Sequence, residues 1–376
     1  MRLFKPAVVV AVFGLGMLSA CGNSDGASDG ATGSSTAPST GSSGPAATAL
    51  AALKPYLDDN PSLDLTPLTA KPASGKKITY VSCALAACND WADTLKEGAA
   101  KLGWTVKIVN GGNTPDVITS TWTSIAQNPG DAVIANSLLP DSAIADQLDT
   151  LKSKKIPVIE LNGPNIPGGA VIAKLGSDEQ NRLEGKILAD WVISDSDGKG
   201  KAAYFNEPSY PDLKAPQEGF TGELKKVCPD CSSETQTFSA ADIGKAVPSQ
   251  VVSYVQSHPD VTYIVFPVGD ATAGVPQALA AAGLTDKVKL LTGRSGSLSI
   301  TAIGSGGQAA ATVGASGIPQ YMSLDLLAHY WQDGKVAESQ PLGILHLVTK
   351  DNAPANGKVF SIPDYQNQYY KAWLIS

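Results

Sequence analysis

Five cysteines, three histidines and two glycine-serine stretches in the second half carry most of the side-chain chemistry legible in this 376-residue chain. Gly293-Arg294-Ser295-Gly296-Ser297 approaches the Gly-x-Ser-x-Gly nucleophile elbow but misses it at the last position. His258, His329 and His346 stand in no triad order and at no zinc spacing. Gly304-Ser305-Gly306-Gly307 lacks the Lys and Ser/Thr that a phosphate loop requires. Cys83 with Cys88, and Cys228 with Cys231, are pairs close in sequence. A redox-active Cys228-Pro229-Asp230-Cys231 would want its first Cys at a helix start, and this one follows a helical pattern. Zinc would need four ligands, and neither pair has a second pair or a His beside it. The residue types therefore point to binding without catalysis, and no cofactor and no metal is expected.

The amino terminus bears on the compartment. Met1-Arg2-Leu3-Phe4-Lys5 is basic, and Pro6 to Met17 is apolar but short for a bilayer span. Leu18-Ser19-Ala20-Cys21 follows and resembles a bacterial lipobox, in which the Cys is lipidated and becomes the new amino terminus. Residues 1–20 are thus expected as a lipoprotein signal and Cys21 as the lipidation site, placing the protein on the outer face of the bacterial cell membrane. Residues 21–75, rich in Gly, Ser, Ala, Thr and Asp at first, read as a lipid-anchored flexible tether. Its root-mean-square reach as a coil is roughly 40 Å. A short helix over Ala47 to Leu57 interrupts it. Export favours oxidised thiols, so both Cys83–Cys88 and Cys228–Cys231 are expected as disulfides. A net charge of -7 with no long basic run argues against nucleic acid, and no later stretch is long and apolar enough to cross a membrane.

The elements that would position any site alternate. Ile78-Thr79-Tyr80-Val81 reads as a strand, Trp91, Leu95, Ala99 and Leu102 as a helix face stopped by Gly103, and Trp104 to Val109 as the next strand. The same pattern recurs to the end of the chain, with strands at Ala132–Ala135, Pro157–Leu161, Val171–Ala173, Ala202–Phe205, Thr235–Phe238, Val261–Phe266, Val288–Leu291 and Ala309–Val313. Helices fall between them, including one from Asp178, a candidate cap, to Asp195 and one over Thr272 to Ala282. Alternation of this kind specifies parallel sheets covered by helices, with loops at the carboxyl strand ends facing a ligand crevice.

The lipobox, the tether and this alternation over Lys76 to Ser376 resemble the type I periplasmic binding proteins, the ribose- and galactose-type solute receptors of ABC importers. Local stretches carry the likeness: Leu95-Lys96-Glu97-Gly98-Ala99-Ala100-Lys101-Leu102-Gly103-Trp104, Lys155-Ile156-Pro157-Val158-Ile159, Gln217-Glu218-Gly219-Phe220 and His258-Pro259-Asp260-Val261. The resemblance implies an α/β protein of two three-layer α/β/α lobes with parallel sheets, joined by a hinge of three crossings. The first lobe is expected at residues 76–175 plus 316–345, the second at 176–315 plus 346–376. It further implies a monomer that closes on a small polar solute, sugar-like or a small carboxylate, and presents the closed form to a membrane permease. By position in the family pattern, the ligand contacts fall at Asn89, Asp90 and Trp91, Asn162, Tyr210 and Lys214, Asp270, and Arg294 and Ser295. Trp91 equally suits the core, Lys214 an exposed surface, Asp270 a helix cap and Arg294 a salt bridge. Asn162 stands where the family has an acidic residue and Arg294 where it has an Asp, so the guanidinium would favour an anionic ligand. A sensory receptor would share the fold and anchor, and a secreted hydrolase is a third class. A transcriptional regulator is excluded by the export signal and the missing helix-turn-helix.

Overall fold

The computed structural model describes residues 44–57, 63–82, 87–112, 114–161, 168–208, 210–334, 336, 339–340 and 344–375. Helix α1 (Pro45–Leu53) is followed by β1 (Lys77–Ser82), α2 (Ala87–Lys101), β2 (Thr105–Asn110), α3 (Pro115–Gln127), β3 (Ala132–Asn136), α4 (Ala145–Ser153), β4 (Val158–Leu161) and β5 (Val171–Leu175). The middle of the chain supplies α5 (Asp178–Asp195), β6 (Lys201–Asn206), α6 (Lys214–Val227), β7 (Ser232–Thr237), α7 (Val247–Ser257), β8 (Tyr263–Phe266), α8 (Val275–Ala281), β9 (Lys289–Thr292), α9 (Ser297–Gly304) and β10 (Ala310–Gly314). Last come α10 (Ile318–Asp333), β11 (Ser339–Gln340), β12 (Leu345–Thr349) and α11 (Tyr365–Ala372).

The strands form two six-stranded sheets, ordered β11-β5-β4-β3-β1-β2 and β12-β10-β9-β8-β6-β7. All pairings are parallel except that of β12 with β10. The period of two along each strand decides what each face meets. Ile78, Tyr80, Ile134 and Ile159 pack with α2 and α10, while Val81, Val133, Ala135 and Val158 pack with α3 and α4. Tyr204, Val265 and Leu291 of the second sheet face α5 and α6, and Phe205, Ile264, Phe266 and Leu290 face α7 and α8. Burial on both faces is why these strands read as near-continuous apolar runs. Helices α5 and α6 approach so closely that a Cβ on Gly185 would lie 1.9 Å from Pro216 O, and one on Gly219 2.0 Å from Arg182 O.

Several local expectations shift. Ser177 caps α5, its hydroxyl accepting from the Gln180 N–H at 3.4 Å, and Asp178 is the first helical residue. The helix expected over Thr272 to Ala282 begins later, because Gly274 takes φ +81 and Pro276 suits only a first turn; a 3-10 turn at Gly269–Thr272 precedes it. Residues expected within the tether are built into the fold. Ala49 and Leu53 of α1 are buried against α5 and α6, and Leu68 joins the core of the first lobe. The carboxyl tail also divides: β12 completes the second sheet, but α11 returns to the first lobe. There Tyr365, Tyr369 and Trp373 pack on Tyr321 of α10, and Trp373 Nε1 donates to Asp325 Oδ1 at 2.7 Å. The chain thus passes between the lobes from α1 to β1, after β5, after β10, between β11 and β12, and between β12 and α11, two crossings beyond the three expected. Periodicity marked the tail as apolar but carried no information on which lobe would cover it.

Candidate ligand-binding cleft

Charged groups at the carboxyl ends of β4 and β5 in the first lobe act on groups that follow β5 and β6 in the second, and one of these, Asp212, pairs with Arg294 after β9. Glu160 and Lys174 are register partners on β4 and β5 and are almost completely buried. Burial pushes the Lys174 ammonium below its usual value, opposed by the carboxylates of Glu160, Asp178, Asp141 and Asp212. Two of those four, Asp178 and Asp212, come from the second lobe, so this lysine stands at the junction. Burial likewise raises the carboxyl of Asp141, which bonds Glu160 and feels Lys174. Beside them Asn136 donates from Nδ2 to the Tyr80 hydroxyl at 3.0 Å and to Val81 O at 3.1 Å.

On the second lobe Arg294 occupies the turn after β9 with φ +37, a left-handed conformation that costs a non-glycine residue on the order of 1 kcal/mol. Its guanidinium is held between two carboxylates, Asp212 Oδ2 at 2.5 Å and Glu184 Oε2 at 3.5 Å, with a further bond to Asp212 O at 3.2 Å. Burial opposes the charge of Arg294, but Glu184 and Asp212 outweigh it and raise its pKa. Burial raises the Glu184 carboxyl in turn, with Arg294 pulling it back. The buried Tyr204 hydroxyl lies next to this pair, raised by burial. Tyr204 Oη, Asn181 Nδ2 and Asn206 Oδ1 are buried without a hydrogen-bond partner among the described residues, polar atoms of the kind that water or ligand satisfies.

The residues singled out from sequence fall into distinct situations. Arg294 takes the salt-bridge alternative, with Glu184 and Asp212 as partners. Ser295 is adjacent to Arg294 but turns inward, its hydroxyl bonded to Thr292 Oγ1 at 2.6 Å within a buried group that includes Ser299 and Gln308. Lys214 is exposed and pairs with Glu218 at 3.5 Å across one helical turn. Asp270 is exposed and sits inside the 3-10 turn after β8, which has Val268 at its N-cap, so it does not serve as the cap. Trp91 and Tyr210 are exposed, 36% and 51%, one after the first strand of each lobe; Trp91 therefore does not join the core. Asn89 and Asp90 lie in the first turn of α2. Asn162, Cys21 and Cys83 lie outside the described residues, as does the side chain of Cys88. Cys228 and Cys231 form a disulfide.

Sequence reading passed over Glu160, Lys174, Glu184 and Asp212. The first two were findable: each is a single charge inside an apolar strand run, Val158-Ile159-Glu160-Leu161 and Ile172-Ala173-Lys174-Leu175, where an unpaired charge would be costly. The histidines are structural. His258 stacks on Tyr254, His346 stacks on Phe360, and His329 reaches Thr66 O at 3.1 Å. Among the described residues no group of His, Cys, Asp and Glu could hold a metal ion, and no helix is long and apolar enough to cross a membrane. Two cavities measure about 470 and 660 Å³. The smaller is at the far end of the second lobe around Trp191 and Lys289, the larger beside the crossings at Ser177 and Ile344.

The sequence profile of the periplasmic binding protein domain matches residues 87–335, well over half the chain. Among curated proteins no significant sequence match is found. Solved structures are similar in fold. An arabinose-binding protein from Geobacillus stearothermophilus superposes with TM-score 0.63 at 16% identity, covering 75% of this chain and 98% of its own. A solute-binding protein of an ABC transporter from Agrobacterium vitis, with bound allitol, gives 0.63 at 18%, covering 74% and 97%. The fructose-binding periplasmic domain of a hybrid two-component system gives 0.62 at 17%, covering 74% and 92%.

Proposed function

Because this chain belongs to the periplasmic binding protein domain family, we propose that it is the extracytoplasmic, lipid-anchored substrate-binding protein of an ABC importer. It would capture a neutral sugar or polyol between its lobes and release it to a permease, without transforming it. The observation that carries the ligand class is the excess of carboxyl groups at the lobe junction. Among the described residues Glu160, Asp178, Asp141 and Asp212 act on Lys174, and Glu184 and Asp212 act on Arg294, five carboxyl groups against two cations, and Arg294 is already neutralised. Carboxylates accept hydrogen bonds from hydroxyls and repel anions, which disfavours the small-carboxylate option that an unpaired Arg294 would have supported. The exposed rings of Trp91 and Tyr210 supply apolar faces of the kind that stack on sugar rings. Asn89, Asp90, Asn162, Lys214 and Asp270 complete the proposed contacts. The arabinose-binding protein and the allitol complex among structurally similar proteins agree with this class.

Thermal-shift screening of the soluble chain tests the proposal. Pentoses, hexoses or linear polyols should raise Tm by mass action, about 2.7 kcal/mol of stabilisation at a hundredfold excess over Kd. Small carboxylates should not. A shift confined to carboxylates, or product formation from a sugar, would overturn it. The likeness to a sugar-binding domain of a two-component system supports a second reading, a receptor for a membrane signalling partner. Crosslinking in membranes separates the two by whether a permease or a kinase is captured.

A further inference from the structure

Residues 44–57 and 63–75 hold both lobes at once. Helix α1 buries Ala49 and Leu53 completely or nearly so against Ile187, Leu188 and Val192 of α5 and Phe220 and Leu224 of α6, all in the second lobe. Its first residue, Pro45, packs on Gly198, 4.0 Å beyond whose Cβ position lies Cys228 Sγ of the disulfide. Further along, the chain is stitched to the first lobe. The Leu68 N–H donates to Ala372 O at 2.9 Å. The Gln332 side chain on α10 accepts from the Thr69 N–H at 2.9 Å and donates to Ala70 O at 3.1 Å. Trp104 Nε1 donates to Ala73 O at 2.8 Å. The family profile begins at residue 87, after both this segment and β1.

We propose that residues 44–57 and 63–75, anchored on opposite lobes, together tie the lobes across the hinge, restrict the range of angles between them, and so set the solute affinity. The inference rests on the reading that the lobes hinge on a solute. Leu57 and Leu63, the last and first described residues on either side, are joined by a stretch whose full extension is about 20 Å. A rotation that carries the two anchors further apart must peel α1 from the second lobe or strip the hydrogen bonds from the first. Pro55 and Tyr56 line a cavity of about 660 Å³ together with Ser177 and Ile344 at the crossings, and Tyr56 packs on the cluster that holds Leu345.

The test reads lobe separation in the ligand-free full chain, by pulsed dipolar spectroscopy between spin labels at Lys107→Cys and Lys226→Cys, one exposed site on each lobe. A Gly/Ser insertion of about eight residues after Asn60 raises the root-mean-square reach of that stretch from roughly 13 Å to roughly 21 Å and leaves every anchor contact in place. It should broaden the distance distribution at least about 1.5-fold with Tm nearly unchanged. Ala49→Asp with Leu53→Asp, detaching α1, should broaden it as much, with trypsin cleavage at Lys54 reporting release. An unchanged distribution in the insertion variant overturns the proposal, as does broadening seen only on detachment, which would make α1 mere packing. Neither outcome depends on which solute binds, so a chain that bound no sugar would still give the answer.

Discussion

Replacing Arg294 by Met tests the charge balance of the cleft directly. The substitution removes a guanidinium whose side chain is 20% exposed, leaving Glu184, 6% exposed, without its cation. Breaking a buried pair by deleting one partner costs about 3–5 kcal/mol when the orphan stays charged. Glu184 has an escape, however, because burial already lifts its carboxyl above the usual 4.5 and loss of Arg294 lifts it further. A carboxyl with a folded pKa above its unfolded value costs nothing below the unfolded pKa. Its penalty grows as pH rises through the folded value. The variant should therefore lose about 1–2 kcal/mol relative to the parent at pH 5 and about 3–5 kcal/mol at pH 8, measured by urea denaturation. Adding Glu184→Gln should recover at least about 1.5 kcal/mol at pH 8, a non-additivity that marks a shared interaction. A loss that is the same at both pH values, or below about 1 kcal/mol at pH 8, would refute the assignment of Glu184 as the buried partner.

Three further outcomes follow from the second lobe. Asp190 is pushed up to about 7 by burial and by Glu223, against Lys186 and Lys226, so stability should fall as pH rises from about 4 to 7. Asp190→Asn should flatten that slope and gain at most about 4 kcal/mol over the parent at pH 8, with no gain at pH 4; a parental slope in the variant counts against it. Cys228→Ser with Cys231→Ser opens a very small loop and should cost about 2 kcal/mol, and thiol titration of denatured, unreduced parent should find neither cysteine free. Gly185→Ala places a methyl on Pro216 O and should cost about 3 kcal/mol or more, seen as a fall in Tm. An Ala variant that melts with the parent would mean α5 and α6 are not packed this tightly.

The sequence by itself determined the architecture from residue 77 onward. Apolar runs of strand length separated by helical stripes can bury their faces only by covering parallel sheets with helices, and both sheets and nearly every strand were legible from that periodicity. Boundaries moved where one residue's backbone chemistry competed with the pattern, as Gly274 did ahead of α8 and Ser177 at the start of α5. What the tertiary structure alone decided is which groups meet. Periodicity says that a face is buried but not what covers it, so α11 and residues 44–75 could not be allotted to a lobe, and the contacts of α1 with α5 left no trace in local sequence. The charges of the cleft obey the same limit. Arg294 read alone promised an anion site, yet its partners Asp212 and Glu184 lie 82 and 110 residues away, brought beside it by the packing of α5 and the turn before α6 against β9. Coulomb energy depends on distance and burial, and both are properties of the folded chain.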